Sequence, residues 1–256
     1  MFYQIKKYIY FLFNASNQHG VHSPFVYNFV TKCLYDRKQY PDYKKLSTYR
    51  KSILKDRKTI KVTDFGAGSR VFDSNERQVS AIAKHAGATA KRMRLLSRIT
   101  RYFQPKTILE LGTSVGMATF PLALGATGKI ETVEGCENTL AIAEQKLKNF
   151  DLKNITFFRE RFSEFLEKAN GKSYDLIYFD GNHNKEATLT YFEALLPTAH
   201  NDSIWIFDDI YWSPSMTEAW EVIKNHPNIQ VTIDCFWLGF VFFRKEQAVE
   251  HFKIRL

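Results

Sequence analysis

Cysteine is scarce in this 256-residue chain: there are three, Cys33, Cys136 and Cys235, widely spaced and with no C-x-x-C pair. That spacing excludes a disulfide framework and a zinc ribbon, and it makes a reducing, cytoplasmic setting the expected one. No apolar run approaches the roughly 20 residues that span a bilayer. The stretch Tyr8–Phe13 is apolar but short, and no small-residue cleavage site follows it, so it does not read as a signal peptide. It reads as a lid or packing helix; a helix lying on a membrane is the alternative, because Lys6 and Lys7 precede it. Internal repeats and low-complexity tracts are missing too.

What is present describes a globular chain, with 45% hydrophobic and 25% charged residues. Its length suits one catalytic domain with an appendage, or two small domains. Phe (22) and Tyr (13) are abundant, so aromatic packing should be prominent. A net charge of +9 favours anionic partners through long-range attraction. The clearest basic cluster, Lys91, Arg92, Arg94, Arg98 and Arg101, is interleaved at helical spacing with Leu95, Leu96, Ile99, Tyr102 and Phe103. That pattern predicts an amphipathic helix whose basic side faces water, so a nucleic-acid partner is considered and not favoured.

Residues 1–104 read as helical and irregular, a region expected to cap the substrate as a lid. Ser23-Pro24 is a strong helix start, followed by an apolar stripe of Phe25, Phe29, Val30, Cys33 and Leu34. Asp36–Arg57 is polar and reads as a mobile connection, and a helix is predicted over Gln78–Ala86. Residues 105–256 alternate. Short apolar runs at Thr107–Leu111, Ile130–Val133, Ile155–Phe158, Tyr174–Phe179 and Ser203–Phe207 are separated by helical stretches. Such strands belong in a parallel sheet covered on both faces. Ile229–Asp234 and Phe236–Phe243 leave no room for a helix between them and must pair antiparallel.

The loop after the first of these strands reads Glu110-Leu-Gly112-Thr113-Ser114-Val-Gly116 and opens into a helix. Ser114 stands where a dinucleotide fingerprint would require glycine, which argues against a pyrophosphate ligand. Glu134 ends the second strand, where a carboxylate can accept two ribose hydroxyls. The E-x-G-x-x-x-G loop with a following strand-end acid resembles class I S-adenosylmethionine (SAM) dependent methyltransferases. The resemblance implies an α/β, Rossmann-like methyltransferase fold: a mostly parallel seven-stranded sheet with a C-terminal antiparallel hairpin and an N-terminal helical lid. It also implies cofactor contacts at Glu110, Gly112, Thr113, Ser114, Gly116 and Glu134. Where many members have an acid near the adenine this chain has Arg161, which leaves the backbone or Phe162 for that contact. A second glycine turn, Asp64-Phe-Gly66-Ala-Gly68-Ser69, lacks a following acid-tipped strand and reads as an ordered turn; a role for Arg70 beside an anionic substrate is the alternative.

Two further strands deliver chemistry to the same sheet edge: Asp180-Gly-Asn-His183 after one, and Asp208-Asp209-Ile-Tyr-Trp212 after the next. Three carboxylates converging there would suit Mg²⁺ or another divalent cation. Both motifs resemble metal-dependent O-methyltransferases of the D-G-x-H subgroup, and Ser23-Pro-Phe and the second glycine turn resemble a bacterial branch. The resemblance implies Asp180, Asp208 and Asp209 as metal ligands, Asp180 also beside the cofactor, and His183 as the base, with Asp180 in the catalytic pair. For His183 a helix-cap or packing role is the plain alternative. His19-Gly-Val-His22 has ligand-like spacing without companions. The expected activity is O-methylation of a small-molecule hydroxyl. The alternatives are an RNA or protein methyltransferase docking through the basic helix, and a non-catalytic cofactor-binding protein; self-association is left open.

Overall fold

The computed structural model describes residues 2–65, 68, 72 and 74–256. In chain order it begins with α1 (Phe2–Asn14), α2 (Pro24–Phe29, extended by a wider turn over Val30–Leu34) and α3 (Asp42–Leu54). The short strands β1 (Thr59–Lys61) and β2 (Glu76–Gln78) follow, then α4 (Val79–His85) and α5 (Ala90–Phe103). Strand and helix next alternate: β3 (Thr107–Leu111), α6 (Thr119–Gly125), β4 (Lys129–Val133), α7 (Glu137–Leu147), β5 (Ile155–Phe158) and α8 (Phe162–Glu167). The same rhythm continues through β6 (Leu176–Phe179), α9 (Lys185–Leu195), β7 (Ile204–Asp208) and α10 (Pro214–Lys224). Three strands close the chain, β8 (Val231–Asp234), β9 (Leu238–Phe242) and β10 (Glu250–Lys253). They form two compact units, one from Asp36 to Phe165 and one joining the chain up to Tyr35 with Leu166–Leu256.

In the Asp36–Phe165 unit, β3, β4 and β5 run parallel, with Glu110 opposite Thr132 and Val133 opposite Phe158. The apolar side chains of β3 and β4 are buried, as expected of strands covered on both faces, whereas those of β5 are only partly so. The polar segment read as a mobile connection is instead largely helix α3. Tyr43, Leu46, Tyr49 and Ile53 are its buried residues, at helical spacing within a Lys- and Arg-rich exterior that hides the stripe. Tyr49 is at the centre of the core, its ring 4.6 Å from that of Phe120. The basic face of α5 is less solvated than its composition suggests. The Arg94 guanidinium lies 5.2 Å from the Tyr43 ring, Arg98 donates to Tyr43 Oη at 3.4 Å, and Arg101 pairs with Asp42.

In the other unit, β6 and β7 are parallel, β7 and β9 antiparallel, and β8 and β9 form the expected antiparallel hairpin. Here the structure adds a strand to the predicted set, because β10 runs parallel beside β8. Its sequence, Glu-His-Phe-Lys, carries no apolar run to betray it. The N-terminal helices pack on this unit's own strands. Ser23 caps α2 at Val26 N, and Phe29 and Phe25 set ring edges against Phe240 and Phe242. Gly239 is required where it stands, since a Cβ there would lie 2.6 Å from the Trp220 ring.

Candidate functional site

The loop after β3 turns through left-handed backbone at Gly112, Ser114 and Gly116, with φ of 111°, 47° and 75°. At Gly112 that freedom lets two consecutive amides, Gly112 N and Thr113 N, donate to Val133 O of the neighbouring strand. At Gly116 the need is also steric, because a Cβ would meet Tyr49 Oη at 2.4 Å, and that hydroxyl donates to Val115 O. Ser114 holds a conformation that costs a non-glycine residue about 1–2 kcal/mol, and in it Ser114 N donates to Glu134 Oε2 at 2.8 Å. Cys136 N donates to the other oxygen, Oε1, also at 2.8 Å. Both carboxylate oxygens of Glu134 are thus fixed by amides one residue beyond β4, with lone pairs remaining for hydroxyl donors. Burial pushes this carboxyl above the ordinary range, against the two amide bonds, and Asp64 adds to the rise.

Glu110 lies beneath the loop, fully buried. Its Oε2 accepts from Thr119 Oγ1 and Thr132 Oγ1, each at 2.6 Å, while Oε1 has no hydrogen-bond partner among the described residues. Burial lifts it to about 7, with the threonine hydroxyls opposing. Residues 61–65 dock along the Glu134 turn: Thr63 N reaches Cys136 Sγ, and Asn138 donates to Lys61 O. Phe65 covers Gly135 so closely that a Cβ there would be 2.8 Å from the ring, and the Arg161 guanidinium stacks 4.7 Å from the ring centre. Phe162 begins α8, half-buried. Of the second glycine turn, Gly66, Ala67, Ser69 and also Arg70 lie outside the described residues.

In the other unit, Asp180 follows β6 and His183 sits in the turn before α9, both half-buried. The cap of α9 is Asn184, which accepts from Ala187 N, so His183 is not the capping residue. Its ring centre is 5.7 Å from that of Trp212. The turn is held by Asn182, left-handed at φ 51°, which donates to Tyr191 Oη. Asp208 is the buried last residue of β7, opposite Leu238, whereas Asp209 has turned into left-handed backbone with its N–H on Trp237 O. Asp234, buried at the end of β8, accepts from Tyr211 Oη at 2.6 Å and from Phe236 N at 2.8 Å. Burial raises its carboxyl above the usual range, opposed by those hydrogen bonds.

Residues 109–210 match the family model described as a methyltransferase domain. This is a Rossmann-like methyltransferase fold. Among solved structures, the SAH-bound Podospora anserina methyltransferase PaMTH1 matches with a TM-score of 0.62 at 14% identity, over 87% of this chain and 97% of that one. The O-methyltransferase TomG of Streptomyces achromogenes, solved with SAM, matches with a TM-score of 0.57 at 15% identity, over 80% of this chain and 91% of that one. An O-methyltransferase from Bacillus cereus, in complex with SAH, gives 0.56 at 15% identity, over 84% and 96%. Identities this low speak for the fold.

Within the matched residues, Gly112, Thr113, Ser114, Gly116 and Glu134 form one hydrogen-bonded turn system with Glu110 below it, and their donor set fits a ribose-bearing cofactor. The acids expected around a metal are not brought together in this way. Among the described residues no three of His, Cys, Asp and Glu are grouped so as to hold an ion, and Asp180, Asp208 and Asp209 are all described. Asp208 remains in the ladder while Asp209 leaves it through a left-handed turn, so the consecutive acids take different courses. His19 and His22 likewise gather no companions. Sequence reasoning missed Phe65, since nothing in its own turn points to Gly135, 70 positions further on.

Proposed function

We propose that this chain binds SAM through the Gly112–Gly116 loop and Glu134 and transfers its methyl group to a hydroxyl of a small molecule. The supporting observation is the Glu134 carboxylate, clamped by the Ser114 and Cys136 amides at a strand end next to the glycine loop. A carboxylate so fixed suits a pair of ribose hydroxyls. Bound SAM would supply an electrophilic methyl group. Oxygen as the acceptor, and a small molecule as the substrate, are supported by solved relatives described as O-methyltransferases, one of them in tomaymycin synthesis.

His183 is the residue this reading assigns to take the proton from the substrate hydroxyl. It sits on a short turn fixed at both ends, by Asn182 to Tyr191 and by the Asn184 cap, with an aromatic neighbour in Trp212. Asp180 supplies a carboxylate three residues earlier on the same turn. The finer expectation, a divalent cation on Asp180, Asp208 and Asp209, is not supported by a ligand cluster among the described residues, and the proton transfer is assigned to His183 without an ion. A loss of turnover on chelation, restored by Mg²⁺, would reinstate it. Calorimetry tests the cofactor reading directly: SAM or SAH should bind, NADH should not, and Glu134→Gln should weaken binding by about 1.5–3 kcal/mol, the range for hydrogen bonds to a charged group.

A further inference from the structure

Helix α1 presents an apolar face that nothing in its own unit covers. Phe2, Ile5, Ile9 and Phe13 recur at spacings of three and four and are 83%, 53%, 50% and 86% exposed. The helix is nonetheless firmly seated. Phe11 is buried against Phe236, Tyr8 sets its ring 4.8 Å from Phe236, and Tyr3 Oη donates to Thr217 Oγ1 at 2.8 Å. Its outward face is therefore fixed by packing on the inward one. Trp237, half-exposed, sets its ring 4.7 Å from Phe236 on the packed side of the helix. A contiguous exposed patch of large apolar side chains marks an interaction surface rather than ordinary solvent-facing residues.

Charge selects the partner. The first 35 residues contain Lys6, Lys7 and Lys32 and not one Asp or Glu, and Lys253 stands over the Tyr10 ring at 5.5 Å. Two copies paired through this face by a two-fold axis would set like charge against like charge. An anionic bilayer supplies the opposite sign. The helix has 13 residues, which at 1.5 Å each make about 20 Å, short of a roughly 30 Å hydrocarbon core. No helix among the described residues is long and apolar enough to cross a membrane. We infer that α1 docks this protein on the surface of an anionic phospholipid bilayer, lying in the interface with Phe2, Ile9 and Phe13 inserted and Lys6 among the headgroups. Aromatic and aliphatic side chains on one face with lysines beside them are what such helices use.

Co-sedimentation of the full chain with vesicles tests this, using phosphatidylcholine alone and phosphatidylcholine mixed with phosphatidylglycerol. The chain should pellet with the anionic vesicles, far less with the neutral ones, and less as salt is raised. Ile9→Asp combined with Phe13→Asp should lower the apparent affinity by about tenfold or more, because both the apolar insertion and the sign of the face are lost. Lys6→Glu should give a smaller loss. These positions face solvent, so circular dichroism should show each variant folded. Failure of the folded chain to pellet at low salt, or undiminished binding by the double variant, would overturn the inference. So would a dimer in sedimentation velocity that the double variant disperses without any vesicle binding, which would assign the face to a second copy. None of these outcomes depends on methyl transfer.

Discussion

Gly116 shows how one residue joins the core to the loop. Its φ of 75° and the Tyr49 hydroxyl at its back leave no room for a methyl group. Gly116→Ala should lose about 1–3 kcal/mol of stability through overpacking and left-handed strain. The loss should be smaller in a Tyr49→Phe background, which removes the crowding oxygen; urea titration of the four proteins of that cycle measures the coupling. Glu110 gives a pH signature. A carboxyl that ionises at about 7 in the fold, against an ordinary 4.5, binds more protons folded than unfolded. Its stabilising state is complete below pH 4.5 and is lost as pH rises to about 7. Between pH 5 and 8 the chain should therefore lose roughly 3 kcal/mol through this group. Glu110→Gln should flatten that decline in denaturation midpoints taken across the range.

Between elements, the decisive contact is the docking of residues 61–65 on the Glu134 turn. Backbone and side-chain bonds to Cys136 and Asn138 hold this segment, and they bring Phe65 onto Gly135 under the Arg161 guanidinium. In the proposed binding mode Phe65 would stand beside the acid that takes the ribose and stack against the cofactor's purine. Phe65→Ala should weaken SAM binding by about 0.5–1.5 kcal/mol, the usual worth of an aromatic pair, as measured by calorimetry. Tighter binding instead would mean that the ring stands in the ligand's place. The helices α3 and α5 teach a related lesson. A run of Lys and Arg reads as solvated until the partner helix is known, and here Asp42 and Tyr43 take up Arg94, Arg98 and Arg101.

For the whole molecule, the two compact units divide the first hundred residues between them. Tyr49, Ile53, Val79 and Met93 belong to the core that also holds Val115 and Ala143 of the loop-bearing unit. A chain lacking residues 1–104 should therefore fail to give a folded cofactor-binding protein, because its central core would be stripped of those side chains. Limited proteolysis and SAM calorimetry of the truncated chain check this; a cooperatively melting, SAM-binding fragment would show that α3–α5 are dispensable.

Sequence alone determined the alternation from Thr107 onward, the C-terminal hairpin, the glycine loop and the acid at the end of β4. Each is a local pattern: a strand's apolar run, a turn too short for a crossover, a left-handed loop, a charge at a strand end. Tertiary structure decided what depends on partners distant in the chain. It made an amphipathic helix of Asp42–Leu54, whose buried stripe is masked by lysines, and added polar β10 because an edge strand needs a neighbour more than an apolar face. It placed Phe65 on Gly135, and it sent Asp208 and Asp209 along different courses. Hydrophobic periodicity reports which way a side chain faces within its own element. It carries no record of which other element comes to meet it, and that is where the site was built.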